Sequence, residues 1–442
     1  MGNRPADSTS LFAPLPFTQM AEQHERVHSQ WQQHGGLIMK NSKDRLLTTH
    51  AGSLVRPASI VVAMRAKEAG ESYDEKALAA DARQSVAEVV RHQAAAGVDI
   101  PSDGEQAKAS FFRYLNDRLT GLTPTRLRPG ETLPTQVAGK DRRDFAAFYA
   151  QYDPLASTMW LPPEVPRTAG PPGGGRAVCD GPVSYKGQAL VQADIANFQA
   201  ALAGQRFAEA FLPAASPTIL GYGTVNQHYP SDEAYVYALA EAMKTEYKAI
   251  VDAGFLLQID SPEMPAMYDR MLVNSVTIKE YRRYAELCVE STNYALQGIP
   301  EDRVRYHICW GSWNGPHTTD IPLRDLVDIL LKVNAQAYSV EAANPRHAHE
   351  WEVWKDVKLP DGKILIPGVI AHTTNIVEHP ELVAMRLKHY ASVVGREHVI
   401  GGTDCGFSQG WNSARVHPQI QWAKLQALAE GARLASQALW RG

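Results

Sequence analysis

Arg303-Val304-Arg305-Tyr306-His307-Ile308-Cys309 is a short apolar and aromatic run that ends in two groups able to hold a metal. The same construction recurs at Ala337-Tyr338-Ser339-Val340-Glu341, and again at His398-Val399-Ile400-Gly401-Gly402 shortly before Cys405. Each candidate ligand stands where a strand-like run gives out. Three strand ends that serve one ion require neighbouring strands whose ends converge, as at the C-terminal rim of a parallel α/β barrel.

Working outward from Arg45, strand-like runs alternate with amphipathic helical stretches, the pattern of βα units. Eight runs are expected as strands: Leu46–His50, Val98–Asp103, Thr218–Tyr222, Leu256–Asp260, Val304–Cys309, Ala337–Glu341, Ile364–Ile370 and His398–Thr403. Between them Asp74–Ala96, Ser231–Ala253, Thr277–Leu296, Leu323–Val333 and Glu381–Val394 read as helices. Ser231 and Pro322 stand where helix starts are expected, and Gly97, Gly254 and Gly395 where helices close. The α/β class follows, with a (β/α)8 TIM barrel preferred to an open doubly wound sheet because polar residues gather at nearly every strand end. A long excursion at 120–197, after the second βα unit, breaks the alternation and is expected to form an insertion or lid over the barrel mouth. Residues 1–44, with five glutamines among Pro, His and Ser, read as a loose N-terminal extension, leaving 45–442 as one catalytic domain.

At 442 residues the chain suffices for one large core. A net charge of −4, with no Lys/Arg tract, argues against a nucleic-acid partner, and no segment has the ~20 apolar residues of a membrane span. Four cysteines and no secretory signal pattern point to a reducing, cytoplasmic location with free or metal-bound thiols. The oligomeric state is not legible.

Sulfur and imidazole ligands select zinc among the common ions. His307, Cys309, Glu341 and Cys405 are the candidate ligands. Two thiolates and a carboxylate would make the zinc a weak Lewis acid yet keep a bound thiol nucleophilic, so alkyl transfer to sulfur is the chemistry expected. Other strand ends add a substrate site. Thr49-His50-Ala51-Gly52-Ser53 is a small-residue turn whose N–H groups, with Ser53, suit a carboxylate. Glu105 and Asp260 suit an ammonium group, and His372, after the seventh run, suits acid–base work. Plain structural roles are open to each of these: a βα turn for Ser53, a helix cap for Asp260, an intrahelical ion pair for Glu105, a hydrogen-bonded strut for His372. Trp310, Trp313, His317, His347 and His349 read as walls or supports around the metal, Cys288 as a core thiol, and Cys179 is left open.

Taken together, His307-x-Cys309, Glu341 and Asp404-Cys405-Gly406 resemble the zinc ligands of the cobalamin-independent methionine synthases, in their C-terminal catalytic barrel and its single-barrel relatives. The likeness runs from Leu46 to about Ser408. It implies that Ala51-Gly52-Ser53, Glu105 and Asp260 bind homocysteine, that His372 is the catalytic histidine, and that zinc activates a thiol acceptor toward a methyl donor in methionine biosynthesis. The second barrel of the full-length enzymes is missing, and Tyr222 stands where the family has a tryptophan, which bears on folate contacts. Related single-barrel proteins use other donors, one branch opening epoxides with coenzyme M. A small-molecule thiol with an alkyl donor of that kind, or a barrel with a purely structural zinc, are the alternatives.

Overall fold

Ten strands occur among residues 39–125, 139–156, 159–165 and 176–441, which the computed structural model describes. They are β1 (Leu47–Thr48), β2 (Leu122–Thr125), β3 (Arg176–Cys179), β4 (Phe211–Ala215), β5 (Thr224–Asn226), β6 (Leu256–Asp260), β7 (Val304–His307), β8 (Ala337–Glu341), β9 (Ile364–Ile370) and β10 (Ile400–Thr403). Seven form one sheet in the order β1-β10-β9-β8-β7-β6-β4, with every pairing parallel. Parallel neighbours require crossovers, and the amphipathic helices supply them. Glu75–Ala96 is typical: Asp74 caps it by accepting from the backbone N–H of Lys76 and Ala77, Val86, Val89 and Val90 point inward, and Gly97 closes it at φ 82°. Thr277 and Glu280 form a capping box at the start of Ile278–Ala295.

The segment expected as the second strand, Val98–Asp103, has no regular ladder, yet it lies between the two edges of the sheet. Ile100 bridges Thr49, and its N–H donates to the Thr48 carbonyl at 3.0 Å. On the other side the Phe211 N–H donates to the Pro101 carbonyl at 3.0 Å, and Ala208 N–H to Asp99 at 2.9 Å. The sheet is thus curled, its edges linked through extended residues that Pro101 keeps from full pairing.

The third expected strand is corrected. Thr218–Tyr222 lies in a helix, Pro217–Gly223, with Pro217 at a helix start where its missing N–H costs nothing. The strand itself is Phe211-Leu212-Pro213-Ala214-Ala215, fully buried and aligned with β6. Proline and two alanines disguise it, because burial on both faces removes the alternation that marks an exposed strand.

Other boundaries shift for local reasons. Met39 and Ser42 are buried, and Ser42 Oγ donates to Val399 O and accepts from Leu47 N–H, so residues 39–44 belong to the body and not to the extension. Residues 1–38 of that extension lie outside the described residues, as do 166–175 with Gly173-Gly174-Gly175. Leu323–Val333 breaks into a 3-10 turn, Leu323–Asp325, and a single helical turn, Val327–Leu330.

The 120–197 stretch has two parts of different character. β2 and β3 pair antiparallel, and β3 pairs parallel with β5 in a small second sheet; the helices Lys140–Asp144 and Ala146–Ala156 follow β2. Helix Gln188–Leu202, by contrast, runs across the expected boundary and packs in the outer helical layer against Glu75–Ala96 and Asp232–Asp252, with Phe198 stacked on Phe255 at 5.0 Å. Among the described residues no helix is long and apolar enough to cross a membrane.

Candidate metal and substrate site

Polar residues alternate on one face of three adjacent strands: Gln258 and Asp260 on β6, Arg305 and His307 on β7, Ser339 and Glu341 on β8. The register sets Gln258 beside Arg305, Asp260 beside His307 and His307 beside Ser339. All six are buried, so the strands carry a polar layer inward, and its last members form the C-terminal rim.

On that rim His307, Cys309 and Cys405 each present a ligand atom within 4.8 Å of the others. The Cys309 and Cys405 sulfurs are 3.4 Å apart, and neither cysteine is in a disulfide. Ser339 Oγ holds His307 Nδ1 at 3.0 Å, which leaves Nε2 buried with no hydrogen-bond partner. An orphaned imidazole nitrogen beside two thiols suits a soft cation. The sulfur pair shares charge unequally. Cys405 lies well below the usual thiol pKa, first because the Cys309 thiol donates to it and then through His307 and His372, while Cys309 is raised well above it by the same contact.

Glu341 stands at the end of β8 but outside this three-atom group. Oε1 accepts the Trp310 N–H at 2.9 Å and Oε2 the Asn344 amide at 2.9 Å. Burial pushes its pKa up to about 7, against the pull of His347 and His317. Three of the four expected ligands are therefore brought together, and the fourth is adjacent and engaged with protein donors.

The Cys405 loop is positioned by two contacts that the ligand pattern alone does not reveal. Asp404 Oδ1 accepts the N–H groups of Ala342 and Ala343, both at 2.8 Å, tying the β10 rim to the residues after Glu341. Gly406 lies against Ser53 so closely that a Cβ there would fall 1.9 Å from Ser53 Oγ. Ser53 thus sits next to the metal loop, and its carbonyl accepts the Phe407 N–H at 2.9 Å.

Glu105 occupies a left-handed conformation, φ 55°, that a non-glycine residue adopts only under constraint. Asp103 Oδ1 takes its N–H at 3.0 Å and Arg56 its carbonyl at 2.7 Å. The carboxylate Oε2 is buried without a partner, and burial, reinforced by Asp260, pushes the group up to about 8 against the pull of Lys108. Asp260 accepts from Gln258 Nε2 at 2.7 Å, and that amide also donates to the Ala51 carbonyl at 2.6 Å. Burial raises Asp260 to about 7. Two buried carboxylates of weakened acidity, one with an open oxygen, thus stand where a cation would be stabilised. His372, two residues beyond β9, is buried with neither ring nitrogen hydrogen-bonded, and burial lowers it to about 4.

Beside Glu341 lies a second polar cluster. Asp320 Oδ2 bridges His317 Nδ1 at 2.9 Å and His347 Nε2 at 3.1 Å; His347 Nδ1 meets Glu350 at 2.8 Å and His317 Nε2 the Trp313 carbonyl at 3.0 Å. Trp310 stacks on His347 and Trp313 on His317. The helical insert clamps this loop: Asp141 accepts from Thr318, Tyr149 OH from Trp313 Nε1 and Tyr152 OH from Asn314 N–H. His349, grouped with these residues from sequence, is exposed and takes no part. The side chain of Tyr222 lies outside what the structure describes. No role is legible in the sequence for Gln258, Asp320 or Arg415, and Asp404 is legible only within Asp404-Cys405-Gly406; Gln258 does stand out, as a polar residue two before Asp260 in an otherwise apolar run.

The family described as the cobalamin-independent synthase catalytic domain matches residues 193–424, more than half of the chain. The methionine synthase of Sulfurisphaera tokodaii is 23% identical over 395 residues, covering 89% of this chain and 94% of that protein. The 2-hydroxypropyl-CoM lyase of Xanthobacter autotrophicus is also 23% identical, over 390 residues, covering 79% and 84%. Among solved structures, a B12-independent methionine synthase from Shewanella sp. W3-18-1 in complex with selenomethionine superimposes with a TM-score of 0.64 at 20% identity, over 90% of this chain and 100% of that one.

Proposed function

The chain belongs to the cobalamin-independent synthase catalytic-domain family, and from that premise we propose that it is a zinc-dependent S-methyltransferase acting on a homocysteine-like thiol in methionine biosynthesis. The observation that carries the reading is the convergence of His307, Cys309 and Cys405 with the unpartnered His307 Nε2. These three would hold zinc, with Glu341 as fourth ligand after giving up one of its two hydrogen bonds. The ion supplies one thing, a lowered pKa for a substrate thiol bound to it.

The protein's own groups do the rest. Glu105 and Asp260 take the ammonium of the acceptor; a cation there restores the ionisation that burial opposes. The Ala51–Ser53 turn takes its carboxylate. His372, neutral near pH 7, would take up the proton that the acceptor thiol gives up and pass it to the donor's leaving atom. Holding the two substrates in line contributes on the order of 7–11 kcal/mol in well-oriented cases. The architecture proposed is a closed (β/α)8 barrel, residues 98–103 filling the eighth strand position between β1 and β4. The insert around 140–156 would act as a lid; its hydrogen bonds to the loop after β7 support that role. Four free thiols in the described structure accord with a cytoplasmic setting.

A second reading is favoured by the Xanthobacter relative: an alkyl transfer to a coenzyme M-type thiol at the same site. Incubating the zinc-loaded protein with homocysteine or 2-mercaptoethanesulfonate, each against 5-methyltetrahydrofolate, methylcobalamin and epoxypropane, with mass detection of the thioether, separates them. Methionine from homocysteine is expected. A hydroxypropyl thioether alone establishes the second reading, and no thioether from any pair defeats both.

A further inference from the structure

Arg415 is a half-buried cation that no carboxylate accompanies among the described residues. Its backbone N–H donates to the Phe407 carbonyl at 2.9 Å, and its Nε donates to Gln409 Oε1 at 2.9 Å. Gln409 is itself pinned through its amide nitrogen to the Gly406 carbonyl, so the guanidinium is oriented from the metal loop. Nη1 and Nη2 have no acceptor among the described residues, and Arg415 forms no ion pair among them.

Four buried arginines of the same fold give the comparison. Arg118 pairs with Asp194 at 2.5 Å and Glu246 at 3.1 Å. Arg56 has Glu105 and Asp103 as charged neighbours, Arg305 has Asp260 and Glu209, and Arg303 has Glu209 and Asp302. Around Arg415 the groups in electrostatic reach are Tyr152 of the insert, Cys405 and His372. Even partial removal of a guanidinium from water is costly without an anion, and its forked donors match a planar oxoacid. An arginine fixed by its inner nitrogen, with its outer fork open beside the reacting groups, is built for an anion that arrives with a substrate.

We infer that Arg415 binds a carboxylate or sulfonate carried by one of the substrates, with Tyr152 of the insert walling the same subsite. The inference rests on the thiol-alkylation reading for which molecules enter. Two sources supply such a group: the thiol acceptor, or an acidic tail on the alkyl donor.

The test is calorimetric titration of the zinc-loaded full chain with homocysteine, 2-mercaptoethanesulfonate, 2-mercaptoethanol and 5-methyltetrahydrofolate, for the wild type, Arg415→Gln and Arg415→Lys. Arg415→Gln is expected to weaken at least one anionic probe by about tenfold or more, while 2-mercaptoethanol, which has no acid group, changes by less than about twofold. Arg415→Lys should recover part of the loss, and zinc content should be unchanged. Loss confined to the two acidic thiols assigns the anion to the acceptor; loss confined to the folate assigns it to the donor. Equal weakening of 2-mercaptoethanol would mean that the guanidinium only supports Cys405, and would overturn the inference, as would no change in any probe. A wild-type protein that binds no thiol through zinc contradicts the proposed function separately, and the folate titration still decides Arg415.

Discussion

Two buried polar clusters sit side by side on the same rim, and they differ in one respect. In the His317–Asp320–His347–Glu350 cluster all four imidazole nitrogens have a partner, at 2.8–3.1 Å. In the His307–Cys309–Cys405 group and its neighbours, His307 Nε2, both nitrogens of His372 and Glu105 Oε2 are buried with none. Similar residue types at similar depth therefore do opposite work. The saturated cluster holds a loop in place, and the unsaturated one keeps donors and acceptors open, as the proposed site requires. Buried polar atoms without partners are costly, and here four of them gather at one rim.

The contrast can be broken most decisively at Cys405. Cys405→Ser should lose zinc and turnover by more than the about 10–100-fold that removal of a supporting partner costs, while the melting of the saturated cluster's loop stays close to wild type; metal analysis with a thioether assay checks both. Asp320→Ala should do the reverse. It strands two buried imidazoles, so denaturant unfolding should show a loss of about 3–5 kcal/mol, with zinc still bound in the protein that remains folded. Glu105→Gln is expected to fold normally and to weaken homocysteine about 10- to 100-fold, with 2-mercaptoethanol, which has no ammonium, unaffected. Equal loss for both thiols would deny the cation pocket.

A further effect is a pH dependence of stability in the saturated cluster. Burial lowers the His347 pKa, but Asp320 and Glu350 outweigh it and raise it from 6.5 to about 10. A folded-state pKa above the unfolded one gives stability that is complete below pH 6.5 and is lost as pH rises toward about 10. Denaturation midpoints should fall across that window, and His347→Gln should flatten the fall. An unchanged slope would mean that the imidazolium pairing contributes nothing.

What the sequence shows of this molecule follows from the same physics. The ligand-bearing strand ends were legible because polar residues close otherwise apolar runs, and β6 to β10 lie close to their expected spans. Phe211–Ala215 was not, since a strand buried on both faces and carrying Pro213 has neither alternation nor β propensity to show. Thr218–Tyr222 has that propensity but follows Pro217, and the helix start prevails. Among site residues, Asp404 acts through contacts with a segment distant in the chain, Ala342–Ala343, that only folding brings together, while Arg415 is fixed by the turn at Phe407–Gln409 just before it, which carries no sequence signal of its own. The saturated cluster is illegible for a related reason: Asp320 and His347 become a pair only across two loops.

In the proposed site two sulfurs and an imidazole from separate strand ends grip one ion that a substrate thiol then joins. Zinc-edge X-ray absorption of the protein with and without homocysteine addresses it directly. The account predicts two sulfurs near about 2.3 Å with nitrogen or oxygen near about 2.0 Å, and a third sulfur once the thiol is added. A spectrum without sulfur, or one that homocysteine leaves unchanged, would contradict it.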